Sequence, residues 1–307
     1  MGKAGRITVW TLGIVLAGVF AAMVAQHLHY LDARRDALHD LQDIFYPGDV
    51  LHAATFLQVA PGDDLFDAMR AMRAATDAFP GAKTVYAGKA AMNAISSAQL
   101  TAAFGEEVAW DAVALLQFDD RAAYHAWRED ERVQAALTRF ATTYAHGMKR
   151  PPTINLMLHQ VFLAWRFVQA VTFQPHVLPF EPAAVDPVAR LGWARRDRLL
   201  EERELGGNAI LVANLAKDGT PDEVAANEDY GLAMLPVMAR GGHGPMHVGA
   251  GVTLEGDVTF ESIIFVYYPG LQYFHDLTGS TFYAGVVGDK QLGDTQVTVT
   301  VPILHLL

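Results

Sequence analysis

The chain has 307 residues, 51% of them hydrophobic, a formal net charge of −11 and no cysteine. That length holds two ordinary domains with sizeable cores. The acidic balance argues against nucleic acid, which needs concentrated Lys and Arg. The missing cysteines exclude disulfides, thiolate metal sites and thiol nucleophiles.

Residues 7–25, ITVWTLGIVLAGVFAAMVA, carry no charge and no proline. At ~1.5 Å per residue they nearly cover a hydrocarbon core of ~30 Å, and Trp10 lies near one end as interfacial aromatics do. A cleaved signal peptide would need a shorter apolar region and an A-x-A-like site, so residues 1–28 read as an uncleaved transmembrane anchor. Lys3 and Arg6 precede the span and Arg34 and Arg35 follow it. The expected topology is an N-terminus inside and the bulk outside, in the periplasm of a bacterial inner membrane. His27 and His29 read as interfacial. Residues 29–49 continue as a helical neck, with Leu31, Leu38, Leu41 and Phe45 on one stripe, until Pro47 and Gly48 stop it.

From there the order of elements occurs twice. LHAATFLQVA (51–60) reads as a strand. The following helix carries Leu65, Met69, Met72 and Phe79 at helical spacing, with Asp63 and Asp64 at its positive end. KTVYAGKAAM and AWDAVALLQF (109–118) are strands, and 121–146 reads as one helix. In the second half NAILVANLA (208–216) is a strand, and Pro221 opens a helix running to Arg240. PMHVGAGVTL and FESIIFVYY (260–268) are strands, and a helix and the closing strand TQVTVTVPILHL follow. FDDRAAYHAWREDERVQAAL (118–137) overlays YYPGLQYFHDLTGSTFYAGV (268–287) without a gap, putting His125 on His275. An eleven-residue longer loop in ISSAQLTAAFGEE accounts for the shifted offset of the preceding strands.

The expected fold is α+β. A transmembrane helix precedes two ferredoxin-like β-α-β-β-α-β repeats, at 50–152 and 206–307, paired sheet to sheet as an intrachain pseudo-dimer. The segment 118–134 resembles the helix of the DUF1330 family, small proteins of the dimeric α+β-barrel superfamily. Phe118, Ala123, Ala126, Trp127 and Gln134 carry the likeness in the first copy; Tyr268, Pro269, Ser280 and Tyr283 carry it in the second. Asp119 replaces the family's proline, and Leu277 its tryptophan. The superfamily also holds monooxygenases, haem-degrading enzymes, chlorite dismutases and lactone isomerases, so the resemblance implies a fold more than an activity.

The connector, 153–205, belongs to neither repeat. TINLMLHQVFLAWRFVQAVTF (153–173) places Asn155, His159, Arg166 and Gln169 on one arc of an otherwise apolar helix. It reads first as a helix on the bilayer or on a partner's membrane helices, through Leu163, Trp165 and Phe167, and second as a buried helix of the body. Residues 174–207 read as an extended wrap ending in a short charged helix.

His125 and His275 read first as helix-surface or sheet-facing residues kept by duplication; a catalytic or haem-ligand role is the sharper alternative. His243 and His247, in GGHGPMH, have metal-like i, i+4 spacing, but Pro245 excludes the helix such a pair needs, and no third ligand can be named. GAGVTLEG lacks the Lys-Ser/Thr of a phosphate loop. Tyr267, Tyr268, Tyr273, Phe274, Phe282 and Tyr283 read as core or inter-repeat interface, and His305 as part of the last strand. No catalytic set emerges and no cofactor is expected. The expected function is a non-catalytic accessory subunit of a respiratory or photosynthetic membrane complex, bound to lipid and partner subunits. The alternative is a membrane-tethered enzyme of monooxygenase, isomerase or haem-related type acting on a small ligand.

Overall fold

The computed structural model describes residues 3–35, 46–105, 109–172, 178–184, 209–290 and 292–307, with some side chains of the first and sixth helices left out. Helix α1 runs Lys3–Ala33. Then come β1 (Leu51–Val59), α2 (Leu65–Asp77), β2 (Ala82–Ile95), α3 (Ala98–Phe104), β3 (Ala112–Phe118), α4 (Arg121–Glu129), α5 (Glu131–Leu137) and β4 (Phe140–Lys149). Helix α6 (Ile154–Thr172) precedes β5 (Ile210–Ala216), α7 (Pro221–Gly241), β6 (Gly244–Thr253), β7 (Ser262–Tyr268), α8 (Leu271–Thr278), α9 (Thr281–Val286) and β8 (Thr295–Pro302).

The first four strands lie in the order β4-β1-β3-β2, and the last four in the order β8-β5-β7-β6. The two four-stranded sheets join edge to edge. β2 pairs antiparallel with β8, and β4 with β6, so all eight strands close into one barrel. Closure removes every free sheet edge.

Side-chain alternation along each strand divides the core in three. On β1, Ala54 and Phe56 face the barrel interior, while Leu51, Ala53 and Leu57 face outward. The interior is filled by large groups, among them Phe56, Tyr86, Trp110, Leu115, Tyr144, Phe265 and Tyr267. Outside the first sheet, Met69 and Met72 of α2 pack with Tyr124 and Trp127 of α4. Outside the second, Met234 and Val237 of α7 pack with Leu271 and Leu277 of α8. Each such apolar side chain contributes ~1.5–3 kcal/mol of burial.

Local signals set the helix ends. The Asp64 carboxylate accepts the Asp67 amide at 3.0 Å. Thr220 and Glu223 form a reciprocal capping box that spans Pro221. Asp130 breaks the helix expected over 121–146: its side chain accepts the amides of Arg132 and Val133 and restarts the chain as α5. The residues FATTYAHGMK then form β4 rather than more helix. The long loop of the first copy holds α3, capped by Ser97. His305 lies in a short turn after β8, not in the strand.

Two carboxylates clasp the halves together. Asp294 accepts from Ser97 Oγ at 2.5 Å, from the Ala98 and Gln99 amides at 2.7 and 3.1 Å, and from Gln99 Nε2 at 2.9 Å. Glu255 accepts from Tyr124 Oη at 2.5 Å and pairs with Arg128 at 2.9 Å.

Several sequence expectations are corrected here. Among the described residues no helix is long and apolar enough to cross a membrane. That overturns the transmembrane anchor at 1–28, and with it the single-pass, inner-membrane and periplasmic assignment. The helix at this position runs well past the apolar stretch, to Ala33. The expected fold class, an anchor ahead of two stacked sheets, gives way to one closed eight-stranded barrel, because both outer strands of each half find ladder partners in the other.

The polar arc of α6 turns toward the body. Arg166 Nε donates to the Ala239 carbonyl at 2.7 Å, and Gln169 Nε2 to the Pro236 carbonyl at 2.7 Å, both on α7. Ala239 O is one of the helix-end carbonyls that lack an intrahelical donor. Phe167 stands 66% exposed, whereas Leu163 and Trp165 are half-buried; Trp10 on α1 is 73% exposed. Of the wrap expected at 174–207, residues 178–184 are described, and Pro182 bridges to Ser280. The rest, including the expected charged helix, lies outside the described residues, as do the side chains of His27, His29 and His159.

Candidate functional site

A buried polar cluster closes one end of the barrel. His52 comes from β1, Arg150 from the residue after β4, and His247 from β6. Asn155 comes from the first turn of α6, and Tyr46 from the segment before β1. All five are less than 6% exposed. The register of β6 against β7 shifts between Pro245 and His247, and this bulge buries the consecutive Met246 and His247 together.

Arg150 is the hub. Its guanidinium donates to Tyr46 Oη at 2.6 Å, Asn155 Oδ1 at 2.5 Å, His247 Nδ1 at 3.1 Å and the Met246 carbonyl at 3.2 Å. It also lies over the Tyr46 ring, 4.6 Å from the centroid. Arginine only donates, so His247 Nδ1 accepts and the ring proton sits on Nε2.

His52 differs. Its ring meets Tyr46 edge to face at 5.1 Å, yet neither ring nitrogen has a hydrogen-bond partner, and the residue is fully buried. Burial, and then the nearby Arg150 charge, push its pKa down to about 3; the Gln117 side chain, opposite it on β3 and close to the ring but short of hydrogen-bond geometry, pulls the other way, and Lys83 on β2 adds to the lowering. His247 is held well below its ordinary range by burial, by Arg150 and by His52. Both imidazoles are therefore neutral at pH 7 in a field of positive charge.

A neighbouring aromatic group surrounds His243. Its Nδ1 pairs with Tyr273 Oη at 3.0 Å, its ring stacks on Tyr268 at 5.0 Å, and its Nε2 is buried without a partner. Arg34, from the residue after α1, donates to the Gly242 carbonyl at 2.8 Å and lies 4.6 Å over the Tyr267 ring. Burial and then Arg34 lower the His243 pKa to about 3. Of the expected aromatic cluster, Tyr267 faces the barrel interior, and the other five pack outside it among α7, α8 and α9.

The sequence candidates are dispersed. His243 and His247 part across β6, the first toward Tyr273 and the second toward Arg150. No group of three or more metal-ligating side chains is found among the described residues. His125 is exposed on α4 beside Arg121 at 3.4 Å, and His275 is half-buried on α8 beside Asp276 at 3.3 Å. Both lie on the helical coat, outside the barrel. A cleft of about 530 Å³ lies between Asp49, Leu51, Asp120, Arg121, Lys149 and Val252. It shares β1 with the cluster but opens on the other side of the strand, where Leu51 points. Sequence reasoning missed His52, Arg150 and Tyr46. One signal was available: His52 shares the inward parity of Ala54 and Phe56.

No known family profile and no curated protein matches the chain. Among solved structures it is similar to a protein named as a monooxygenase from Lactobacillus acidophilus, at 11% identity over 83% of this chain and 94% of that one, with a TM-score of 0.41. It is also similar to an anthrone oxidase-like protein, at 8% identity over 83% and 92%, TM-score 0.46. A mutant chlorite dismutase from Candidatus Nitrospira defluvii follows, at 9% identity over 86% and 96%, TM-score 0.44. At such identities and scores the likeness concerns the fold alone. The expectation of a non-catalytic accessory subunit of a respiratory or photosynthetic membrane complex is overturned. The span on which it rested does not qualify as a membrane helix among the described residues.

Proposed function

We propose that the chain is an enzyme acting on a small molecule, with its reaction centre at the His52–His247–Arg150 cluster, and that its chemistry begins by taking a proton from the substrate. The observation that carries this reading is the His52 ring, fully buried with both nitrogens unpartnered. An unsatisfied buried polar atom costs ~1–3 kcal/mol, and native structures keep few of them. The rest of the cluster suits the task. A neutral imidazole accepts a proton. The Arg150 guanidinium stands where negative charge would develop on the substrate. The ladder strands hold His52 and His247, whereas Tyr46 and Asn155 belong to segments outside the ladder.

The test is solvent-deuterium exchange into acetylacetone and resorcinol, followed by NMR with the full chain and with His52→Gln. The wild type should accelerate exchange into at least one probe, and the variant should lose ~10²-fold or more of that rate. Equal rates in the two proteins, or no acceleration by the wild type, would contradict the assignment.

A further inference from the structure

Resting on that reading, we propose that the molecule taken by this cluster is a small weak acid, such as a phenol or an enol, held as its anion with its proton on His52. The groups that face His52 are the basis. From the end of β4 comes the Arg150 guanidinium, and from β2 the Lys83 ammonium; from β6 comes the neutral His247, from β3 the neutral Gln117, and from the preceding segment the Tyr46 ring. Every charged group acting on His52 is thus a cation. A cation bound there would meet repulsion. A neutral ligand without an acidic proton would leave the imidazole as weak a base as before.

An acid removes the difficulty by bringing both charges in together. Its O–H bond breaks, the electron pair stays on oxygen, and the proton forms an N–H bond on His52. No net charge enters the buried site. The new oxyanion lies beside Arg150, and its negative charge raises the proton affinity of His52, which burial and the Arg150 and Lys83 charges depress. Binding and proton transfer therefore support each other. The two ring nitrogens of His52 give the step a place for the proton and leave a second nitrogen to the cluster.

4-Nitrophenol reports the step directly, because its phenolate absorbs visible light and its phenol form does not. The full chain is titrated with it below the free phenol's own pKa, and total binding is followed by equilibrium dialysis. The wild type should bind it saturably with growth of the phenolate band. His52→Gln should lose the band and bind at least about tenfold more weakly, the equivalent of one pKa unit. Lys83→Gln, at a half-buried position, serves where the first variant folds poorly, and should reduce the ionised fraction of the bound phenol. Saturable binding without the band, still sensitive to His52→Gln, would overturn the weak-acid inference and leave the reaction centre standing. Binding indifferent to His52→Gln would overturn the centre itself. Absence of binding to the wild type would overturn the inference.

Discussion

Replacing His52 by Leu should make the protein more stable while removing its chemistry. In the neutral ring one nitrogen is a donor and the other an acceptor, and both are buried without partners. Each unsatisfied atom costs ~1–3 kcal/mol, and a leucine of similar volume removes both costs. Against this stands the lost edge contact with Tyr46 at 5.1 Å, worth ~0.5–1.5 kcal/mol. The balance is a gain of about 1–5 kcal/mol at neutral pH, read as a higher urea midpoint with an unchanged slope. Acid should widen the gap. The folded-state pKa of His52 is depressed to about 3, while the unfolded ring titrates near ~6.5. Between those values the unfolded chain takes up a proton that the folded chain refuses. The wild type then loses about 1.4 kcal/mol per pH unit from this residue, and the leucine variant does not. A variant less stable than wild type by more than about 1 kcal/mol at neutral pH would show that His52 makes a structural contribution, and would refute the reasoning.

The inter-repeat clasp gives a second expectation: Asp294→Ala, which loses four contacts across the halves, should cost ~2 kcal/mol after allowance for its partial exposure, measured by denaturant midpoint. Gly244→Ala should cost ~2 kcal/mol or more, since its φ is +147° and an added Cβ would stand 2.6 Å from Phe162 Cζ; Gly256→Ala, at φ +60° with open space around it, should cost only ~1 kcal/mol, so a thermal melt of the two variants should rank them in that order. His52, His243 and His247 all have depressed pKa values in the folded chain. Together they should make stability fall by about 4 kcal/mol per pH unit below pH ~6, with no contribution above the unfolded value near ~6.5; a flat profile between pH ~6 and ~4.5 would contradict their burial as neutral rings.

Much of the architecture is legible where one local rule dominates. The alternation of Val297, Val299 and Val301 marks β8, and Pro221 with Asp222 and Glu223 marks the start of α7. The reading fails where two signals compete. Ala, Arg and Glu over 121–137 suggest one helix, but Asp130 satisfies the amides of a second one and the chain turns back as β4. Barrel closure is not visible in any single segment, because the β2–β8 and β4–β6 ladders join residues more than 100 positions apart. The apolar run at 7–25 follows a composition rule that the described helix does not satisfy. The site was hardest to read. His125 and His275 drew notice by repetition, which duplication by itself produces. His52 hides in an apolar strand, and its significance comes from Arg150 and His247, which the barrel brings from two other strands' ends.

The most direct test of the account is a nitrogen-detected NMR titration of the His52 ring, alone and with 4-nitrophenol. The free protein should show a neutral ring that resists protonation far below the ordinary histidine range, consistent with a pKa of about 3. Saturation with the phenol should convert the same ring to imidazolium at a pH where the free protein keeps it neutral. A ring that titrates near ~6.5 in the free protein, or one that stays neutral when the phenol is bound, would contradict the account.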